Sequence, residues 1–411
     1  MNDRLEKHIG VLDGIRSFSI LLLVWFHIWE QCWLTPYIEY NNVITRYFGI
    51  TQSDLHTLVR FGYLWVDALI VISAIVNFLP YARSILGYED WPDTKTFYKK
   101  RAIRILPNYF LCILIMFFVA LFDGAYKAKG TGFAILDVIT HLTFTSNFFK
   151  SVYRLTELNG ALWTVQVEVI WYILMPFIAK LIKKKPKTTL SAMILIGLVS
   201  SNFLIYHASD LWAVNNFFLT FAVDYAVGII ICFAYYAVFS RDLDNTYINL
   251  AGILMALGSF IALLSVINHQ YDVDRPWGQL YYRTELALLF GGLIFGFMLA
   301  PSCIRKFMGS KFFVFVSTIS YNLYIWHQVI ATWLKKLKIP YWSGDTDPSY
   351  LTDNIAWKRS YFFVALIVSI AISTILTYFY EKPISRALTK KFLKKNNKER
   401  ELSLNDGEKE E

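Results

Sequence analysis

Ten apolar runs, each of about twenty residues, decide what this chain can fold into. They extend from Ile15 to Trp33, Phe61 to Ala82, Ile103 to Asp123, Ala161 to Leu181, and Thr188 to Tyr206. The rest run from Phe217 to Phe239, Ile248 to Asn268, Thr284 to Ala300, Phe312 to Leu334, and Tyr361 to Tyr380. A helix of that length crosses ~30 Å of hydrocarbon, and hydrocarbon forces a backbone to satisfy its own N–H and C=O groups. The expected fold is therefore all-α: a polytopic membrane helix bundle with about ten transmembrane helices, multi-pass in a cell membrane. Composition agrees, since 56% of the residues are hydrophobic and only 17% charged, too few charges to cover a soluble protein of this size. Arg4, Lys7 and Arg16 precede the first run as they would in a signal peptide, but its bulky Trp-rich end has no small-residue cleavage site. That run is expected to stay in the mature chain.

Orientation follows from the basic residues. With the N terminus inside, 27 of the 40 Lys and Arg fall on inner segments and 13 on outer ones, which predicts that both termini are cytoplasmic. Much of the net charge of +9 is this bias, so no nucleic-acid partner is expected; the bilayer is the partner, with anionic lipid beside Lys390 to Arg400. Cys32, Cys112, Cys232 and Cys303 stand singly in or beside apolar runs, which suits packing and gives no metal or disulfide pattern. Residues 1–393 read as one transmembrane domain. The final segment, 394–411, turns from basic to acidic with few apolar residues and reads as a disordered cytoplasmic tail.

Three outer loops are long: Leu34 to Arg60, Gly124 to Gly160 and Lys335 to Ser360. Their Trp, Tyr, Asn and acidic side chains, including Tyr341-Trp342-Ser343-Gly344-Asp345, suit stacking on sugar rings; an interfacial aromatic belt has the same composition. Ionisable residues within the runs are more informative, because each costs a few kcal/mol at the centre of a membrane helix. They are His27, Asp67, Glu168, Asp224 and His327, with Glu285 near an outer end. Helical rise puts His27 roughly 16 Å above Arg16, near the bilayer midplane. Asp67 and Glu168 fall roughly 9 to 11 Å below the outer ends of their helices, and His327 at a similar level. Two imidazoles and two carboxylates in one layer fit a general base with an orienting carboxylate. They fit equally a proton relay in a secondary transporter using His27, Glu168 and His327, or structural contacts between helices.

The residues around these charges resemble the acyltransferase-3 family of membrane acyltransferases at five places. Leu12-Asp13-Gly14-Ile15-Arg16 leading to His27 is similar to that family's opening Arg and His, and Lys100-Arg101-Ala102-Ile103-Arg104 resembles its Arg-x-x-Arg motif. Leu162-Trp163-Thr164-Val165-Gln166-Val167-Glu168 is similar to its Leu-Trp-Ser-Leu-Ser-Val-Glu signature. Ile319 to His327 resembles its Ser-Tyr-x-Leu-Tyr-x-Trp-His element, and Glu381-Lys382-Pro383 its closing motif. The matches stand in family order across nearly the whole chain. Departures are Tyr63-Leu64-Trp65 in place of a glycine just before Val66-Asp67, Ala74 after Ser73, and Val169 in place of a second Glu. The extracytoplasmic SGNH hydrolase domain that some members append is absent from this sequence, which leaves completion of transfer to the membrane domain or to a separate protein.

What the resemblance implies is transfer of an acyl group, in the first instance acetyl, from cytoplasmic acyl-CoA to a hydroxyl of an extracytoplasmic or membrane-associated glycan or similar acceptor. Acyl-CoA, as donor substrate, would meet Arg16, Arg101 and Arg104; no metal is called for. Guanidinium groups three residues apart on one helix share a face and bind phosphate as forks, although positive-inside anchoring explains arginines there as well. An acceptor hydroxyl needs a base as it attacks the thioester, and His27 is the expected one, with Glu168 or Asp67 orienting the ring and His327 as acceptor ligand or second acid/base. A covalent acyl-His intermediate is an alternative. The acceptor class stays open among cell-wall glycan, exopolysaccharide, lipid-linked sugar and secreted small molecule. Oligomeric state is unspecified.

The charge bias predicts a topology. Reporter fusions after Lys187 and Arg400 should report cytoplasm and one within Lys335 to Ser360 the outside; an outside signal at Lys187 overturns the assignment.

Overall fold

The computed structural model describes residues 9–39, 52–207, 217–240, 245–269, 280–351 and 353–394, so the expected tail lies outside the described residues apart from its first residue. Its helices in chain order are α1 (Gly10–Cys32), α2 (His56–Arg60), α3 (Trp65–Ile85), α4 (Thr94–Phe122) and α5 (Thr131–Leu142). Then come α6 (Lys150–Leu155), α7 (Leu162–Lys184), α8 (Pro186–His207), α9 (Ala222–Ser240) and α10 (Thr246–His269). The last group is α11 (Arg283–Leu299), α12 (Ser302–Met308), α13 (Lys311–Lys336) and α14 (Ile355–Ile375). A π-helical turn, Leu376–Glu381, carries α14 into a short helix, Lys382–Thr389. Two three-residue strands, Tyr37–Glu39 and Gln52–Asp54, pair antiparallel in the first outer loop and are the small exception to an all-helical chain.

Each of the ten apolar runs falls in a long helix. Among the described residues eight helices are long and apolar enough to cross a membrane alone, and a ninth span forms if α11 and α12, bent by 115° at Ala300–Pro301, count as one. Helix α13 has the length, 26 residues, but carries Ser317, Thr318, Ser320, Asn322, His327 and Gln328. It is shielded by neighbours, so its polar groups meet protein and not lipid. Ser17 Oγ on α1 donates to the Phe313 carbonyl at 2.7 Å and Ser317 Oγ donates to Asp13 at 2.7 Å, locking α1 to α13 at their inner ends. By contrast α10 and α14 are largely exposed along their apolar windows, as helices facing lipid are.

Two apolar clusters meet at α1, α3 and α7. One gathers Ile70, Ile75, Phe78, Trp171, Tyr225 and Ile294; the other gathers Ile20, Val24, Ile105, Tyr109, Leu323 and Tyr361. Val66 packs on both, and the polar cavity described below opens along this seam. Outside it, Lys335 Nζ reaches the Gln31 carbonyl at 2.7 Å, Asp347 at 2.8 Å and Ser349 Oγ at 3.1 Å, which ties the last outer loop to α1. Burial acts to push the Asp347 carboxyl up, but Lys335 and the Ser349 N–H outweigh it and hold the group below the usual carboxylate range. In the same loop Trp342 is spent on packing against Trp357, 5.5 Å between ring centroids, whereas Tyr341 is exposed.

Gly62, just before α3, has a structural reason. A Cβ there would lie 2.4 Å from the Leu22 carbonyl oxygen and 2.8 Å from Phe26 Cβ, so only glycine lets this turn press on α1 one residue from His27. Gly62→Ala should therefore cost about 1–3 kcal/mol, the range for overpacking, read as a lower unfolding temperature of the detergent-solubilised protein. Gly258→Ala on the lipid-facing α10, where a Cβ meets nothing within 4 Å, is the control and should be neutral or slightly stabilising.

Candidate functional site

A cavity with about 800 Å³ of empty space opens between α1, α3, α4, α7 and α13. Its polar wall is built from Arg16 on α1, Ser73 and Asn77 on α3, Arg101 and Arg104 on α4, Glu168 and Tyr172 on α7, and Tyr321 and Tyr324 on α13. A second hollow, of about 710 Å³, shares Arg16, Val76 and Arg104 with it and continues towards Asp13, Pro80 and Arg83 at the inner helix ends. The two hollows adjoin at Arg16, Val76 and Arg104 and both are lined by arginines. Arg101 and Arg104 do share a face, as their spacing predicts. The Arg101 guanidinium lies 5.4 Å from the Phe97 ring centroid and 5.6 Å from that of Tyr172, reaches the Val76 carbonyl only at 3.5 Å, and leaves its buried Nε without a hydrogen-bond partner. Among the described residues neither Arg16 nor Arg104 lies within ion-pair distance of a carboxylate. Three guanidinium groups and one carboxylate, Glu168, face this space, so its lining is net positive.

Beyond the cavity, on α1 and α13, stand the histidines. The His27 and His327 ring centroids are 5.1 Å apart. His327 is buried, and its Nδ1 lies 2.8 Å from the Leu323 carbonyl. A carbonyl only accepts, so Nδ1 carries the hydrogen and the neutral ring presents its lone pair at Nε2, which is buried with no partner. His27 Nδ1 meets the Glu30 carboxylate at 3.1 Å, three residues on, which by the same logic leaves His27 Nε2 as the basic atom. Tyr324 links the two levels: it lines the cavity, accepts from Thr164 Oγ1 at 2.6 Å and lies 6.1 Å, ring to ring, from His327.

The expected single layer of two imidazoles and two carboxylates is thus split. His27 and His327 meet, and Glu168 joins the arginines. Asp67, which the sequence offered as an orienting carboxylate, is instead bound to Arg283 at 2.9 Å with both side chains buried. Arg283 also lies 4.0 Å from the Phe221 ring centroid, and Asp224, whose buried oxygens have no hydrogen-bond partner, feels both Asp67 and Arg283. The carboxylate that does reach His27 is Glu30. Its signal was available, since residues three apart on a helix are neighbours, but it lies near the outer helix end, where a charge looks ordinary. His141 is buried beside Asp137 at 3.1 Å in the outer region, away from both sites. No group of three or more His, Cys, Asp or Glu able to hold a metal occurs among the described residues.

Helices that cross a bilayer around an internal polar site define a multi-pass membrane protein with a buried reaction or transport centre. The chain belongs to the acyltransferase-3 family: the family model described as an acyltransferase domain matches residues 9–378. It is similar to the O-acetyltransferase OatA of Staphylococcus aureus, 21% identical over 95% of this chain and 60% of the relative. It also resembles an acetyltransferase-type protein of Acidianus two-tailed virus, 27% identical over 57% of this chain and 65% of the relative. The chain therefore spans about three fifths of the length of the first of these relatives. No solved structure matches it.

The Arg283 cluster generates a stability test. Arg283→Leu leaves two carboxylates buried without a cation and should cost about 3–5 kcal/mol, the scale for breaking a buried pair. Asp67→Asn should cost less, because Asp224 remains to face Arg283. Equal losses in thermal unfolding would show that Asp224 takes no part.

Proposed function

We propose that the chain is a cell-membrane O-acyltransferase, moving an acetyl or similar acyl group from cytoplasmic acyl-CoA to a hydroxyl acceptor outside or within the membrane, with both termini cytoplasmic. The observation that carries this reading is the pair of adjoining arginine-lined hollows, with Tyr324 of the upper lining beside two facing imidazoles, of which His327 has a buried Nε2 without a partner. The family and its O-acetyltransferase relatives support the reaction class.

Acyl-CoA suits the path because its phosphates are polyanionic and planar guanidinium groups bind phosphate through paired N–H donors. Arg16, Arg101 and Arg104 would hold that end, and the acyl thioester would point towards Tyr324 and the histidines. Nε2 of His27 takes the proton of the acceptor hydroxyl as its oxygen bonds to the acyl carbon. Collapse of the tetrahedral adduct breaks the carbon–sulfur bond, and the leaving thiolate takes up that proton. Glu30 keeps the His27 Nδ1–H in place and favours the imidazolium formed midway. His327 Nε2, 1% exposed as a residue, is the second acid/base or the acceptor's ligand. Glu168 closes the upper wall of the arginine cavity, where a carboxylate limits how far an anionic donor advances. The second alternative, a proton-coupled transporter, calls for helices broken at corresponding places in two halves; the described residues contain one such break, between α11 and α12.

Liposomes holding full-length protein, labelled acetyl-CoA on the inner side and candidate glycans on the other test this reading. His27→Ala should lower transfer by at least ~100-fold, the usual scale for a general base, with donor binding retained. Glu30→Gln should lose less. Full transfer by His27→Ala with none by His327→Ala would exchange the two roles, and proton-driven uptake without acyl product would establish the transporter instead.

A further inference from the structure

Pro107 lies inside α4 and has no N–H, so the carbonyl four residues earlier, that of Ile103, loses its helical partner. Ile103 sits between Arg101 and Arg104. The structure supplies a substitute from the far end of the chain: Ser385 Oγ donates to the Ile103 carbonyl at 3.3 Å. Two further hydroxyls land on the same stretch, Tyr321 on the Ile105 carbonyl at 3.1 Å and Tyr380 on that of Pro107 at 3.2 Å. At the centre is Glu381. One of its oxygens accepts from Asn108 Nδ2 on α4 at 2.8 Å and from Asn322 Nδ2 on α13 at 2.7 Å, while Asn322 also donates to Thr377 Oγ1 at 2.8 Å. Asn108 is one helical turn beyond Arg104, and Asn322 is next to Tyr321, which lines the arginine cavity.

The π-helical turn Leu376–Glu381 makes this possible, since an inserted residue re-aims a helix face, a feature that recurs at functional sites. A helix needing only to pass through lipid has no use for an acidic group there. A purely structural tie between helices would be served by any neutral acceptor. What a carboxylate adds is a stronger acceptor for the two amides it joins, one of them on α4 a turn beyond Arg104.

We propose that Glu381 is a positioning residue, fixing the Arg101–Arg104 turn of α4 through Asn108 and Asn322 so that both guanidinium groups face the cavity. This rests on the donor reading above. It assigns the C-terminal Glu381 to Ser385 segment to the donor side of the reaction, with no contact to the acceptor.

The test uses full-length protein in liposomes and acetyl-CoA as the probe, and compares wild type, Glu381→Gln and Arg104→Ala. Gln keeps the shape and one acceptor oxygen but loses the charge. Glu381→Gln should raise the Kd and KM for acetyl-CoA about tenfold, the scale of one charge-assisted hydrogen bond. Its kcat at saturating donor should stay within about twofold and its KM for acceptor unchanged, a split that marks loss of ground-state donor binding. Asn322→Ala, milder, should move donor KM in the same direction and serves if Glu381→Gln is poorly inserted. Wild-type acetyl-CoA affinity in Glu381→Gln alongside weakened binding in Arg104→Ala would overturn the positioning role and leave the donor site standing. Unchanged affinity in Arg104→Ala would overturn the donor site and this inference with it. A fall in kcat with no change in donor KM would also overturn it, because that pattern belongs to the chemical step.

Discussion

Hydrocarbon offers no hydrogen-bond partner, and the placement of almost every polar group in this bundle follows from that. Membrane helices are stable only if polar side chains find protein partners or line a cavity. Here both outcomes occur. Asp13, Ser17 and Ser317 are tied off between α1 and α13, and Asp67 is tied to Arg283. Arg16, Arg101, Arg104 and Glu168 instead surround space. A charge left facing an internal cavity is expensive, and the structure keeps four such charges in one place while pairing others elsewhere. That contrast separates the cavity-facing charges from the paired ones.

The same logic orders the site along the bundle. Cations occupy the inner part of the path, and the imidazoles occupy the upper part, joined through Tyr324. On the proposed reading, a polyanionic donor would rest its phosphates on the arginines, with its uncharged acyl end extending towards the imidazoles. At the upper level each imidazole has its Nδ1 engaged, His27 by Glu30 and His327 by the Leu323 carbonyl, so Nε2 is the free ring nitrogen of each. Helix α1 carries Arg16 and His27 on one rigid rod, so the distance between them is set by helical rise rather than by loops.

Helix α4 shows how local chemistry and long-range packing are coupled. Proline within the arginine turn removes a helical bond, and the freed Ile103 carbonyl is met by Ser385 from the C-terminal segment. The chain thus closes on itself, with residues near position 100 and near position 380 forming one unit. Outer loops are held in a comparable way by single polar anchors: Lys335 for the last loop, and Asn159, which donates to the Ile325 carbonyl at 2.8 Å, for the loop before α7.

Ten apolar runs, their lengths and the spacing of Arg101 and Arg104 were legible in the sequence, because the number of spans and the sharing of a helix face depend only on local periodicity and bilayer thickness. The pairing of His27 with His327 could be anticipated in level but not in contact, since level follows from helical rise and contact from which helices are neighbours. Tertiary structure alone decided the partners. Nothing local distinguishes Asp67 from Glu168, both acidic groups inside apolar runs; Asp67 became structural because α3 packs where Arg283 begins α11, and Glu168 became part of the cavity because α7 faces α1 and α4. Glu30 and Glu381 were overlooked as interacting groups because each sits near a helix end where charge is unremarkable; the i,i+3 spacing of Glu30 from His27 was open to a local reading, whereas only packing brings Glu381 to two buried amides. Sequence determines which charges must be dealt with inside the membrane; the meeting of distant helices determines which are neutralised and which are left facing the cavity.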